Sequence, residues 1–224
     1  NEGTIVANLG HVNLGAGTEV VVDFAGDGLI HFAVSGEVAE QVAGAQSAID
    51  NSGQITAEGG QITLSARTAR GVFDNIVNNS GSIRAGRIDR SGGKIRLVGM
   101  GGSVRNSGSL DASGTSGGEI SVSSDINVAS SGTITADASS GTGGTVTVQS
   151  GDTTMLSGSA VVSANSRDGV GGSIALLGPQ VGATDSATVT ASGGSGGGTI
   201  LIGGELRGTG STPTSRAVYL GEAT

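Results

Sequence analysis

Two sequence markers recur together along this chain at intervals of about 26 residues. The first is a Ser-Gly dipeptide, and the serines are spaced 28, 27, 24 and 26 residues apart, at Ser52, Ser80, Ser107, Ser131 and Ser157. The second is a glycine pair that begins at Gly59, Gly92, Gly117, Gly143, Gly171 and Gly197. The first 14 residues, NEGTIVANLGHVNL, match NSGQITAEGGQITL (51–64) position by position, and the stretch between them leaves room for one further, divergent unit. Two markers that keep one phase indicate a single structural unit repeated along the chain.

Within each unit, apolar residues occupy alternate positions in short runs, as they do in a strand with one buried face. The first run contains Ile55, Ile83, Leu110, Ile134, Val162 and Val189; the second contains Ile62, Ile95, Ile120, Val146, Ile174 and Ile200; a weaker third contains Val104, Ile126, Val128, Met155 and Val181. Each unit therefore predicts three short strands joined by turns of Gly, Ser, Asn and Asp.

Three short strands cannot bury their apolar faces alone, but coils that stack on one another can. The pattern predicts an all-β fold, a single-stranded parallel β-helix of about nine three-strand coils over residues 1–224. With coils about 4.8 Å apart, the rod is on the order of 40 Å long. A mixed β-sandwich also has short alternating strands, but it does not predict the same residue types at the same place in every unit.

The stacked register makes specific predictions. We expect the glycine markers to adopt positive φ at tight corners, and Asn51, Asn79 and Asn106 to form a corner column joined by side-chain amides. Two ion pairs are predicted across neighbouring coils, Arg84 with Asp111 and Lys94 with Glu119. One outward column is predicted to contain His11, Gln61, Lys94, Glu119 and Thr145.

Composition excludes several classes of function. The chain has no Cys, so it has no disulfides and no thiolate metal sites. Its formal net charge of −8 argues against nucleic acid as a partner, because no cluster of cations is available to neutralise phosphates. No apolar stretch is long enough to cross a bilayer, so no membrane insertion is expected.

Candidate catalytic and metal-binding residues do not form a convincing set. The aspartates fall mostly in turns or at outward positions, and Asp125, Asp152 and Asp185 are interpreted as solvated turn residues. His11 and His31 are the only histidines, and they lack a third ligand for zinc. We therefore predict no catalytic residues, no metal and no cofactor.

Two segments interrupt the repeat. Residues 35–50 contain Val38, Val42 and Ala45 at helical spacing, which predicts a short helix inserted between coils. Residues 65–76 are predicted to be a protruding loop. Its Arg67, Arg70 and Phe73 are the candidate ligand-contact residues.

Five stretches of the chain resemble filamentous haemagglutinin-like adhesins, the exoproteins of two-partner secretion. They are NEGTIVANLGHVNLGAGTEVVVDFAGDGLIHF, IDNSGQITAEGGQITLSA, VNNSGSIRAG, GGKIRLVGMGGSVRNSGSLDASGTSGGEISV and GGTILIGGELRGTG. The chain departs from the family's secretion domain in having no Asn-Pro-Asn motif, from which we infer a segment downstream of the secretion signal or at its trailing edge.

The resemblance implies a right-handed β-helix stalk without enzymatic activity, on an adhesin that is secreted to the bacterial cell surface. It implies export through an outer-membrane two-partner secretion transporter. The expected partners at the surface are a host-surface glycan or protein, or an exopolysaccharide of the biofilm matrix.

The alternative function is a polysaccharide lyase or hydrolase on the same fold. Such an enzyme needs a groove with convergent charged and aromatic residues, and this chain has only four Phe and Tyr residues. The repeat is in phase at its first residue, and no cap is evident near its last. We therefore expect the native polypeptide to extend beyond Asn1 and Thr224 as one section of a longer stalk.

Overall fold

Three parallel β-sheets wind around one apolar core. The structure is a computed structural model that describes residues 1–25, 29–41, 44–86, 93–204 and 212–221. Sheet 1 contains β1 (Thr4–Val6), β6 (Gln54–Thr56), β9 (Ser82–Arg84), β12 (Ser109–Asp111), β15 (Thr133–Thr135), β18 (Val161–Ser163) and β21 (Thr188–Thr190). Because consecutive strands belong to different sheets, each pass through the three sheets completes one coil.

The other two sheets have the same number of strands. Sheet 2 contains β2 (His11–Ala16), β7 (Gln61–Arg67), β10 (Lys94–Met100), β13 (Glu119–Ser124), β16 (Thr145–Ser150), β19 (Ser173–Leu177) and β22 (Thr199–Ile202). Sheet 3 contains β5 (Ile49–Asn51), β8 (Asn75–Asn79), β11 (Ser103–Asn106), β14 (Val128–Ser130), β17 (Thr153–Leu156), β20 (Gln180–Ala183) and β23 (Ala217–Leu220). The chain is thus a parallel β-solenoid, as the repeat predicts.

The coils are regular over most of the chain. Paired residues in sheet 1, at positions 54, 82, 109, 133, 161 and 188, lie 28, 27, 24, 28 and 27 positions apart, which makes five consecutive turns. The first step is longer, since Thr4 pairs with Gln54, 50 positions away. Each sheet has seven strands in the described residues, fewer than the nine that about nine coils require.

The long first step contains an antiparallel hairpin. Strands β3 (Glu19–Ala25) and β4 (Leu29–Ser35) pair from Glu19 with Ser35 to Ala25 with Leu29. This hairpin occupies much of the space that the spacing assigns to a divergent coil. Both arrangements use alternating strands, so the period of two does not distinguish them.

The inward positions of the three sheets form stacked apolar columns. Ile55, Ile83, Leu110 and Ile134 pair in successive rungs of sheet 1, and all four are fully buried. In sheet 3, however, Thr154 rather than Met155 takes the inward position, where its Oγ1 donates to the carbonyl of Leu177 at 2.6 Å. The apolar assignment of Met155 in the third run is therefore wrong.

Asparagine side chains stack at one corner of the solenoid, as predicted. Asn51, Asn79 and Asn106 are buried, and each Nδ2 donates to the side chain of the next coil. The column continues below through Asn1, whose Nδ2 donates to Oδ1 of Asn51 at 2.8 Å, and above to Oγ of Ser130 at 3.2 Å. A buried amide that bonds on both sides avoids the cost of an unsatisfied polar group.

The glycine markers serve close packing between coils more than positive φ. A Cβ on Gly53, Gly81, Gly108 or Gly132 would lie 2.0–2.1 Å from the carbonyl oxygen of the glycine one coil earlier. None of these four glycines has positive φ. The expectation of positive φ is therefore wrong for these four, and it is confirmed for Gly59, Gly93 and Gly158, whose φ values are 69°, 73° and 61°. At the other four, the corner backbones approach too closely for any side chain.

The segment predicted to form a short helix contains no helix in its described residues, 35–41 and 44–50. Val38 instead forms a parallel bridge with Thr68, and its carbonyl accepts a hydrogen bond from the Ala69 amide at 2.9 Å. The backbone around Val38 is therefore extended, and its hydrogen bonds are made with the residues at the end of β7. Val42 lies outside the described residues.

Candidate ligand-binding groove

A groove lies between the hairpin and the outer face of sheet 2. Strand β4 packs back against β2 and β7, and Val34, near the base of the hairpin, is buried. The groove encloses about 730 Å³, a volume within the range of ligand sites. Its lining residues are His11, Asn13, Ala33, Val34, Gln61, Ile62, Thr63, Ser65, Lys94, Ile95, Arg96, Val98, Met100, Glu119 and Ser121.

Two outward columns of side chains build the floor of this groove. The first contains His11, Gln61, Lys94 and Glu119 in successive rungs, and the second contains Asn13, Thr63, Arg96 and Ser121. Thr145 follows Glu119 in the next rung, so the outward column predicted from the sequence is confirmed. The parallel register therefore produces a flat polar floor, because outward residues of every coil lie directly beside one another.

The charges on the floor are two cations and one anion. Lys94 Nζ lies 3.4 Å from Glu119 Oε2, which confirms the predicted pair, and both side chains are about half exposed. Arg96 is exposed and forms no ion pair with any residue whose side chain the structure describes. Because the chain carries a formal net charge of −8, this floor is opposite in sign to the molecule as a whole.

Acid–base chemistry would require groups that face one another. Glu119 is the one carboxylate among the lining residues whose side chains the structure describes, and His11 lies three rungs away from it in the same column. At about 4.8 Å per rung, their backbones are about 14 Å apart. Glu119 and His11 therefore do not form a facing acid–base pair.

The three candidate ligand-contact residues do not converge on one surface. Arg67 ends β7 beside Met100; its Nη2 lies 3.3 Å from Met100 Sδ, and its Nε is buried without a hydrogen-bond partner. Arg70 is exposed, and its Nη2 lies 4.0 Å from Asp125 Oδ2. Phe73 is 5% exposed and belongs to the core, so its ring is not presented to a surface ligand.

The predicted protruding loop is also shorter than residues 65–76. Residues 65–67 belong to β7, Thr68 pairs with Val38, and residues 75–76 begin β8, which leaves only 69–74 as a turn. The apolar and β-branched residues at both ends of the segment extend the strands.

A charge signal in the sequence could have located the cationic floor of the groove, but not the groove itself. Eight of the 11 cations lie between residues 67 and 105: Arg67, Arg70, Arg84, Arg87, Arg90, Lys94, Arg96 and Arg105. The strand register then places Lys94 and Arg96 on the face beneath the hairpin. Only the packing of the hairpin, which the sequence period does not reveal, makes that face one side of a groove.

A second charged cluster lies on sheet 1. Arg84 contacts Glu58 through its Nε and lies 3.3 Å from Asp111 through its Nη1, which confirms the predicted pair with Asp111. The hydrogen bond with Glu58 is the main cause that raises the pKa of Arg84 above its ordinary value, with a smaller contribution from the charge of Asp111. This cluster joins three consecutive coils through side chains.

The turn aspartates bind groups of their own chain. Asp125 Oδ1 accepts from the Gly101 amide at 2.9 Å, and Asp185 Oδ2 accepts from the Gly158 amide at 2.8 Å. Across the described ranges, no three His, Cys, Asp or Glu side chains are grouped to hold a metal ion. No helix in the described part of the chain has the length and apolar character needed to cross a membrane.

Comparison with known proteins gives no relative. No protein-family model, no curated protein and no solved structure matches this chain.

Proposed function

We propose that this chain is a non-enzymatic structural and adhesive module of a large secreted bacterial adhesin. In this proposal, a right-handed solenoid forms a stiff stalk at the bacterial cell surface. An outer-membrane two-partner secretion transporter exports the parent chain. The module attaches cells to a host-surface glycan or protein, or to an exopolysaccharide of the biofilm matrix.

The continuity of the three ladders is the observation that carries the stalk proposal. Every strand of sheet 2 from β7 to β19 is paired on both sides, and sheets 1 and 3 continue in parallel. Seven rungs at about 4.8 Å give a stack on the order of 30 Å. Bending such a stack requires hydrogen bonds on one side to lengthen in all three sheets.

Two general features support the proposed right-handed coil and the proposed stalk. Crossovers between parallel strands of one sheet are right-handed in nearly all proteins, which favours a right-handed coil. A regular repeat of 24–28 residues also allows a stalk to lengthen by whole coils, because each coil contacts mainly its neighbours.

The alternative, a polysaccharide lyase or hydrolase, is less well supported. Cleavage by glycoside hydrolases uses two carboxyl groups about 5–9 Å apart that face one space. Among the lining residues whose side chains are described, Glu119 alone is acidic. Its polar floor is better suited to holding a ligand than to cleaving one.

Surface display tests the proposal. The chain is fused to an outer-membrane anchor in a non-adherent bacterial strain, and attachment to host cells and to exopolysaccharide-coated glass is measured under flow. We expect attachment above that of the anchor alone, and loss of attachment for Ile120→Asp, which disrupts the fold. No gain in attachment, with folding of the displayed chain verified by protease resistance, would contradict the proposal.

A further inference from the structure

We infer that the groove beneath the hairpin is the adhesive contact and that its ligand is a linear polysaccharide bearing carboxylates. This inference rests on the proposed adhesive function and specifies its ligand class. Three features of the groove support it: the sign of its charge, the chemistry of its neutral lining, and the construction of its floor.

The sign of charge favours an anionic ligand. Lys94 and Arg96 are both exposed on the floor, and Glu119 neutralises only Lys94. No residue whose side chain the structure describes forms an ion pair or a hydrogen bond with the Arg96 guanidinium. A guanidinium binds a carboxylate through two parallel hydrogen bonds, which gives it both orientation and strength.

The neutral lining favours a ligand rich in hydroxyl groups. Asn13, Gln61, Thr63 and Ser121 present amides and hydroxyls on the same floor. These groups both donate and accept hydrogen bonds, as sugar hydroxyls do. A polyhydroxylated anion can therefore bind the amides and hydroxyls and the exposed Arg96 at the same time.

The construction of the floor disfavours a peptide or a nucleic acid. Peptides commonly bind to a free sheet edge, an apolar groove or an aromatic-lined groove. Here the floor is a sheet face, and strands β7, β10 and β13 are each already paired on both sides. Nucleic acid is disfavoured because duplex DNA carries about one phosphate per 1.7 Å of axis, a denser line of charge than Lys94 and Arg96 can neutralise.

The Lys94–Glu119 pair gives the inference a directional test. Glu119 repels a bound carboxylate and also holds the nearest cation at 3.4 Å. Glu119→Gln keeps the shape of the side chain, removes the repulsion and releases Lys94. The inference therefore requires this variant to bind an acidic polysaccharide more tightly than the unchanged protein does.

The experiment measures binding of the purified chain to hexagalacturonate and to neutral maltohexaose by calorimetry. We expect hexagalacturonate to bind and maltohexaose not to bind. Arg96→Ala is expected to weaken binding about tenfold, the effect of about 1.4 kcal/mol from one charge-assisted hydrogen-bonded pair. Glu119→Gln is expected to strengthen it about threefold.

Arg167→Ala is the matched control, because it removes the same charge from an exposed corner outside the groove. It is expected to change the affinity less than twofold, as a distant exposed charge does when salt screens it. Equal losses for Arg96→Ala and Arg167→Ala, or equal binding of both sugars, would overturn the inference. Absence of binding by a folded chain that still attaches displayed cells would overturn the inference alone and leave the adhesive function standing.

Discussion

The side-chain amide of Asn79 donates a hydrogen bond to Oδ1 of Asn106, one coil further along, at 2.8 Å. Oδ1 of Asn79 in turn accepts from Nδ2 of Asn51 at 2.7 Å. Both residues of the first pair are buried, so neither amide has water as a substitute partner. The corner is therefore fixed by a chain of side-chain hydrogen bonds that runs along the axis.

Replacement of Asn79 by Ala is expected to lower the free energy of unfolding by about 2–4 kcal/mol. The change leaves one buried donor and one buried acceptor without partners, and each costs about 1–3 kcal/mol. Asn78→Ala is the control, because that side chain is more exposed and loses only a hydrogen bond to Asp50. Urea unfolding followed by circular dichroism measures both; equal losses would contradict a structural role for the column.

The direction of side chains in β13 is tested by a pair of neighbouring substitutions. Ile120→Asp places a carboxylate in the dry core and is expected to cost several kcal/mol, because Ile120 is fully buried. Ser121→Asp, on the outer face, is expected to change stability by less than about 0.5 kcal/mol. Thermal unfolding compares the two, and similar melting temperatures would show that the register is wrong.

Close packing between coils is tested at the glycine corner. Gly108→Ala places a Cβ about 2.0 Å from the carbonyl oxygen of Gly81, and we expect it to destabilise the protein by several kcal/mol or to prevent folding. Gly197→Ala is the control, since its Cβ meets nothing within 4 Å. If Gly108→Ala is as stable as Gly197→Ala, the coils are not stacked as closely as described.

The charged cluster of Arg84, Glu58 and Asp111 is expected to contribute little to the free energy of unfolding, and that contribution is expected to fall as salt is added. The Arg84 side chain is 52% exposed. Arg84→Ala is therefore expected to lower the free energy of unfolding by under about 1 kcal/mol at low salt and by almost nothing at about 1 M salt. The pKa of Arg84 is raised in the folded state, so its contribution is complete below its ordinary pKa and is lost only as the pH rises above that value. Urea titrations from pH 7 to pH 10 should therefore give one constant difference between variant and parent; a difference that shrinks across this range would contradict the assignment.

The repeat predicts much of the fold, because each inward and outward position recurs in every coil. The pairs Arg84 with Asp111 and Lys94 with Glu119 follow from counting positions within the unit, and the asparagine column follows from the recurring Asn-Ser-Gly. In each case, parallel stacking places equivalent residues side by side. Local alternation and the period together are sufficient for these features.

The groove could not be predicted in this way. Its outer wall is an antiparallel hairpin, and alternation is the same in antiparallel and parallel strands. The burial of Phe73 could not be predicted from local sequence either. A single aromatic residue in an irregular segment is typical of a surface contact, but Phe73 is buried in the folded chain. The reason for the glycines, an approach of one backbone to the next, likewise appears only when the coils are stacked.

The central claim, a stalk made of coils that stack and bear load, is tested most directly by pulling on single molecules. The chain has no Cys, so Ser52→Cys and Ser192→Cys provide two unique handles on exposed residues of separate coils. We predict extension in steps of one coil, 24–28 residues, or roughly 80–95 Å each at about 3.4 Å per residue. Smooth extension without steps, or steps unrelated to the length of a coil, would contradict the account.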